Sequence, residues 1–393
     1  MTLRAAGVVL LFSWLFMGCS LVERLPQFEK RRLLAVFHLI ETEKYRDAKE
    51  MIEELMEDEA SKEWPRLWYA QGILAQTSYR EGKSKNNNAL LRLYSDPLYL
   101  AWESYEKGLS LDREGRMERS LVPRYILLAN DFQQLGEEHF KARRYSASLK
   151  AFEQAITVAS SPILSAKVDT TLRYNAAMAA YMARNWQRAQ HHLETLHQLQ
   201  YKNNATHMLS VVHLHLEDTL AAKNVLNEGI AMFSFDETLV LLLADLLYRT
   251  HEADSASRLL EAAAQSDTTT AVYHYTRGLI LQRTGAYAEA ISAYGKAYEM
   301  DQDNARLPVL IAMCYYNKGV AIEGAARTLT VRSMVDAEKE RSTAAFRSAN
   351  EWLQKAMAHH DKDDDVLLRI HSLNQALRMP GKGGTLNLSP PEK

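Results

Sequence analysis

Residues Ala271 to Asn304 read AVYHYTRGLILQRTGAYAEAISAYGKAYEMDQDN, a unit of 34 residues whose spacing decides the fold. Gly278, Gly285, Tyr287, Ala290, Tyr294 and Ala297 stand in the order G-x6-G-x-Y-x2-A-x3-Y-x2-A. Gly285 sits where the chain must turn between two helices, a place for positive φ. The missing side chain at Gly278 lets the first helix approach its partner closely. Ala290, Tyr294 and Ala297 lie three and four apart and share one face of the second helix. Small residues flanking a bulky one make a knob between two shallow grooves, which suits close antiparallel packing.

The same second-helix signature can be followed in both directions. It stands at Ala48-Ile52-Leu55, Ala101-Tyr105-Gly108, Ser148-Phe152-Ala155 and Ala189-Leu193-Leu196. It continues at Ala222-Leu226-Gly229, Ala256-Leu260-Ala263, Ala290-Tyr294-Ala297 and Ala349-Leu353-Ala356. From Ala189 to Ala222, Ala256 and Ala290 the steps are 33, 34 and 34 residues. An aromatic stands three residues ahead of the triplet at Tyr45, Tyr145, Trp186 and Tyr287. Single matches mean little in a helix-rich chain, but three consecutive near-equal steps define a repeat. The remaining steps of 53, 47, 41 and 59 residues mark insertions. One is the polar stretch Glu81 to Asn88, read as an exposed loop. Another is a longer first helix from about Arg119 to Lys141. A third is a pair of extended helical arms between Gly319 and Ala345. Such insertions project from one edge of a repeat array and can carry specificity.

The 34-residue unit resembles the tetratricopeptide repeat. That resemblance implies an all-α solenoid of about eight helical hairpins forming a right-handed superhelix, closed by a C-terminal capping helix. It covers residues 29–363 and divides the chain as follows. N-terminal hairpins occupy 29–128 with an inserted loop at 79–97, and a regular array follows over 129–304. An extended hairpin takes 305–363, and a cap takes 364–379 with Leu367, Leu368, Ile370, Leu373 and Leu377 turned inward. A cap is needed because an uncovered terminal apolar face invites association. Residues 380–393, rich in Pro and Gly, read as a disordered tail.

The first eighteen residues read as a targeting segment. Arg4 supplies a positive charge, Ala5 to Phe16 form an apolar run, and Gly18-Cys19-Ser20 follow. The run is well short of the ~20 residues a spanning helix needs. Leu15-Phe16-Met17-Gly18-Cys19 resembles a bacterial lipobox, which implies a signal peptide over 1–18, acylation of Cys19 and a tethered linker over 19–28. Several acyl chains together anchor a protein stably, where one alone is marginal. Ser20 after the lipid cysteine resembles the choice that sorts such proteins to the outer membrane, facing the periplasm.

A formal net charge of -2 gives no general reason to bind nucleic acid. With Cys19 lipidated, the second cysteine, Cys314, has no disulfide partner and reads as a buried thiol in a helical stretch. His191-His192, His213-x-His215 and His359-His360 lack carboxylate or thiol partners at ligand spacing, so no metal is expected. Neither a phosphate loop nor a nucleophile elbow is present, and no cofactor or enzymatic activity is expected. The resemblance instead places the first helix of each hairpin on a partner-binding concave face. Its residues are Tyr174, Asn175, Met178 and Tyr181, then Asn204, His207, Val211 and His215, then Asp245 and Tyr248. Tyr275, Leu279 and Gln282 follow, then Val309, Met313 and Tyr316. Tyrosine offers large apolar area and one hydrogen bond at low entropic cost. The expected function is a scaffold holding a protein segment in cell-envelope, outer-membrane or secretion-system assembly. The alternative is a glycan- or nutrient-binding lipoprotein of an uptake system, using Trp64, Trp68 and Trp102 around the first insertion.

Overall fold

The computed structural model describes residues 27–164, 168–358 and 364–378. The targeting segment, Cys19, His359-His360 and the tail from Met379 onward lie outside the described residues. Among those described, every regular element is helical. The chain forms two compact units, Met1–Leu196 and His197–Lys393.

The first unit begins with α1 (Gln27–Glu41), α2 (Tyr45–Glu57) and the short α3 (Glu59–Lys62). Next come α4 (Pro65–Ser84), the short α5 (Asn88–Leu91) and α6 (Pro97–Leu111). Then α7 (Glu118–Lys141) pairs with α8 (Tyr145–Ala159), and α9 (Thr170–Met182) precedes α10 (Trp186–Gln198), whose last two residues fall in the second unit. The second unit holds α11 (Asn203–His215), α12 (Thr219–Met232), α13 (Glu237–Arg249) and α14 (Ala253–Ser266). It continues through α15 (Ala271–Arg283), α16 (Tyr287–Met300), α17 (Arg306–Ala326) and α18 (Arg332–Ala358), and ends in α19 (Asp364–Arg378). Within each unit successive long helices pack on one another, α7 on α8 in the first and α15 on α16 and α17 on α18 in the second among them, so each unit is a file of hairpins.

Local chemistry sets where the helices start. Pro65 and Pro97 open α4 and α6 with a preset φ. Asp169, Asp218 and Asp236 accept first-turn amides of α9, α12 and α13 at 2.9, 2.9 and 3.2 Å. Tyr45, Tyr145, Trp186 and Tyr287, the aromatics singled out by spacing, are the first residues of α2, α8, α10 and α16. Between the two helices of a hairpin the chain passes through the left-handed region. It does so at Glu43, Arg143, Arg184, Glu217 and His251 as well as at Gly285.

Packing turns the repeated triplets into core. All eight are buried, from Ala48, Ile52 and Leu55 on α2 to Ala349, Leu353 and Ala356 on α18. At four crossings an aromatic ring lies over a glycine of the facing helix. The pairs are Gly72 with Tyr105, Gly136 with Phe152, Gly278 with Tyr294 and Gly319 with Phe346. A β-carbon at Gly278 would stand 2.5 Å from the Tyr294 ring, so only glycine fits.

Two local expectations need correction. Glu81 to Ser84 are not loop: α4 runs through them, because Tyr79 and Gly82 are buried, Gly82 against the Leu91 side chain. The chain leaves the helix only at Lys85. On α19, Leu367 and Leu368 point outward, 47% and 59% exposed, while Val366 and Leu373 are fully buried. Val366, Ile370, Leu373 and Leu377 recur at three to four residues and lie on α17–α18. Leu367 and Leu368, one and two residues past Val366, are carried to the other side of the helix.

Candidate functional site

In the first unit, Tyr174, Asn175, Met178 and Tyr181 on α9 are half-buried. The Tyr181 ring meets the edge of Trp186 at 5.4 Å, across the hairpin turn. In the second unit Asn204 and His215 are exposed and His207 and Val211 half-buried on α11. On α13, exposed Asp245 pairs with Arg249 at 2.8 Å, and half-buried Tyr248 lies under the Arg283 guanidinium at 5.6 Å. On α15, Tyr275 packs 6.1 Å from the ring of Tyr294, and Gln282 accepts the Tyr294 hydroxyl at 2.8 Å.

Tyr316 is a correction. It is 0% exposed, as are Val309 and Met313, and no partner can reach it. Its register matches that of half-buried Tyr181 and Tyr248, but the second arm of the longer α17–α18 hairpin brings Phe346 to 5.5 Å. The α19 cap shares the same core cluster.

The residues that set repeat packing behave as a group. Ala290, Tyr294 and Ala297 are fully buried around Gly278, and Gly285 turns the chain at φ 82°. Tyr287 is half-buried and opens onto a surface that residue-by-residue reading missed. Helices α17 and α18 have 21 and 27 residues, against 13 and 14 in α15 and α16. The arms outrun their neighbour and leave a cleft of about 730 Å³ between the start of α16 and the arm tips. Tyr287, Ile322, Ala325, Leu329 and Met334 line it, with Lys318 and Glu338 also in the lining, and Met334 is 54% exposed. The signal for it was the 59-residue step; which side chains would be left bare was not written there.

In the first unit a buried polar chain ties three helices. The Tyr105 hydroxyl donates to Gln76 Oε1 at 2.9 Å, and Gln76 Nε2 donates to Asp131 Oδ2 at 2.9 Å. Burial raises the Asp131 carboxyl above its ordinary range against the lowering pull of Gln76 and of Arg80, whose guanidinium lies 3.9 Å away. The chain satisfies groups that would otherwise be stranded, which is a structural task.

Groups with chemical potential are otherwise muted. The Cys314 thiol is buried and pushed up to about 12, so it is protonated and unreactive at neutral pH. Among the described residues no three His, Cys, Asp or Glu side chains are grouped so as to hold a metal ion. No described helix is long and apolar enough to cross a membrane. Trp64 packs against the α1–α2 core, Trp68 donates its indole N–H to the Lys62 carbonyl at 2.7 Å, and Trp102 lies 5.3 Å from Tyr125. All three are half-buried within the helical stack.

The described residues thus form an all-α protein of sequentially packed helical hairpins. Residues 271–304 match the tetratricopeptide repeat family. No curated protein matches the chain. Among solved structures, a repeat protein of the same kind from Bacteroides fragilis is similar at 16% identity and TM-score 0.36, over 63% of this chain and 98% of that one. Another from Parabacteroides merdae shows 14% identity and TM-score 0.31, over 78% and 99%. YrrB, described as a tetratricopeptide protein with an unusual peptide-binding site, shows 18% identity and TM-score 0.33, over 51% and 93%. The fold assignment stands on the packing above and on the 271–304 match.

Proposed function

We propose that the chain is a non-enzymatic protein–protein interaction scaffold, anchored by lipid on Cys19 to the bacterial outer membrane and facing the periplasm. Its partner is an apolar segment of another envelope protein, in cell-envelope, outer-membrane or secretion-system assembly. The observation that carries this reading is the cleft between the start of α16 and the α17–α18 overhang, which Ile322, Leu329 and Met334 line. Farther along α17 the α15–α16 hairpin covers the face and buries Leu307, Leu310, Ile311 and Cys314. An incoming segment with apolar side chains completes that burial at roughly 25 cal/mol per Å² of apolar surface removed from water. The half-buried first-helix residues Tyr248, Tyr275 and Gln282 offer a second contact surface in the same unit.

The test is cross-linking in whole cells followed by co-purification, comparing the parent with two double variants. One carries Ile322→Asp with Met334→Asp and the other Tyr181→Ala with Tyr248→Ala. Loss of the cross-linked partner in the first variant alone is the expected result. Loss only in the second moves the contact to the first-helix faces, and unchanged capture in both sinks the scaffold reading. The anchor is checked separately by labelled palmitate, which Cys19→Ala must fail to incorporate.

A further inference from the structure

A second cleft, of about 600 Å³, opens in the first unit between the start of α8 and the α9–α10 turn. Its lining includes Lys150, Arg184 and Arg188 together with Leu149 and Ala183, and Glu153 is the single acid among the described lining residues. Glu153 is already committed. Its Oε1 accepts Arg188 Nε at 2.6 Å and lies 3.1 Å from His192 Nε2. Burial alone would raise its pKa, but the bonds from His192 and Arg188 hold it below the ordinary carboxylate range. Its charge therefore answers Arg188 and leaves the other two cations uncompensated. The Lys150 ammonium sits 4.3 Å over the Tyr99 ring, and neither Lys150 nor Arg184 meets a carboxylate among the described residues.

Arg184 stands at the turn of its hairpin, in the left-handed position that Glu43, Arg143, Glu217 and His251 take in other hairpins. It occupies the left-handed turn position at φ 57°, the slot that Gly285 fills in the 271–304 repeat. Glycine takes that conformation without steric cost and arginine does not.

We propose that this cleft binds an acidic peptide segment, with Lys150 and Arg184 taking Asp or Glu carboxylates over a floor of Leu149 and Ala183. A guanidinium matches a carboxylate in bidentate fashion. The recess admits side chains of a peptide, whereas a bilayer surface lies flat across it. The site is distinct from the apolar cleft of the second unit in place and in chemistry.

The experiment titrates the full chain with a fluorescein-labelled hexaglutamate peptide and reads fluorescence anisotropy. The parent binds, and binding fades in about 0.5 M salt as screening shortens the reach of the charges. Arg184→Glu with Lys150→Glu weakens binding roughly tenfold or more. Arg184→Gly also weakens it, yet melts at or above the parent temperature, because glycine relaxes the turn. Absence of binding by the parent, equal binding by the double reversal, or binding indifferent to salt each overturns the proposal. Capture of anionic phospholipid vesicles in preference to the peptide overturns it in favour of a membrane surface.

Discussion

Sixteen residues separate Gly136 from Phe152 and Gly278 from Tyr294, and the same interval joins Ala177 to Leu193, Ser210 to Leu226 and Ala244 to Leu260. All of these positions are buried. Where the second helix carries an aromatic ring, the first carries no side chain; where it carries leucine, the first carries Ala or Ser. Volume lost at one position is returned at the other, which keeps the interior at close-packed density. Gly278→Val therefore costs about 1–3 kcal/mol, since the Tyr294 ring cannot move aside within its buried setting. Gly278→Ala combined with Tyr294→Leu recreates the pairing of Ala244 and Leu260 and recovers most of what Gly278→Ala alone loses. Denaturant unfolding of the parent, Gly278→Ala, Tyr294→Leu and the double variant forms a double-mutant cycle. An interaction energy near zero would show that the crossing is looser than its geometry.

Among elements, α17–α18 and α19 depart most from the repeat. The arms of the former create the apolar cleft, and the latter closes the far face of the same hairpin. The orientation of α19 is testable because its leucines are misleading. Val366→Asp places a charge in a site that is 0% exposed and lowers the stability of the second unit by at least ~2 kcal/mol, with association detectable by light scattering. Leu368→Asp, at a 59% exposed position, changes stability by no more than about 0.5 kcal/mol. Equal effects from the two substitutions would contradict the register seen here.

For the molecule as a whole, stability in a file of hairpins is a sum of local couplings, so the two units need not melt together. The first unit carries the buried Asp131, whose folded pKa is raised by burial above the ordinary 3.8. Between those two values the folded state holds more protons than the unfolded one, so stability falls as pH rises through the window. Above the folded pKa the penalty is fully present. Asp131→Asn removes it while Gln76 can still donate to the amide oxygen. The stability difference between variant and parent should therefore move in the variant's favour as pH is raised from about 3.8. Urea unfolding followed by Trp64, Trp68, Trp102 and Trp186, with Trp14 and Trp352 replaced by Phe, reports the first unit alone. A difference that stays constant with pH would mean that Asp131 is solvated like an ordinary surface acid.

The eight triplets, the turn at Gly285 and the aromatics Tyr45, Tyr145, Trp186 and Tyr287 ahead of four of the triplets were legible in the chain of residues; that those aromatics open their helices was not. Helix periodicity and close packing leave few other ways to arrange small and bulky side chains at those intervals. Tyr316 could not be told from Tyr181 and Tyr248 by register, because Phe346 reaches it from thirty positions away along the chain. Leu367 and Leu368 looked inward until the face that α19 presents was known. Both clefts depend on where one hairpin stops against the next, and the pairing of Glu153 with Arg188 and His192, which leaves Lys150 and Arg184 unanswered, joins different helices. Spacing along the chain dictates which residues pack within a hairpin; which faces stay open, and which charges stay unpaired, is decided only when hairpins of unequal length are laid side by side.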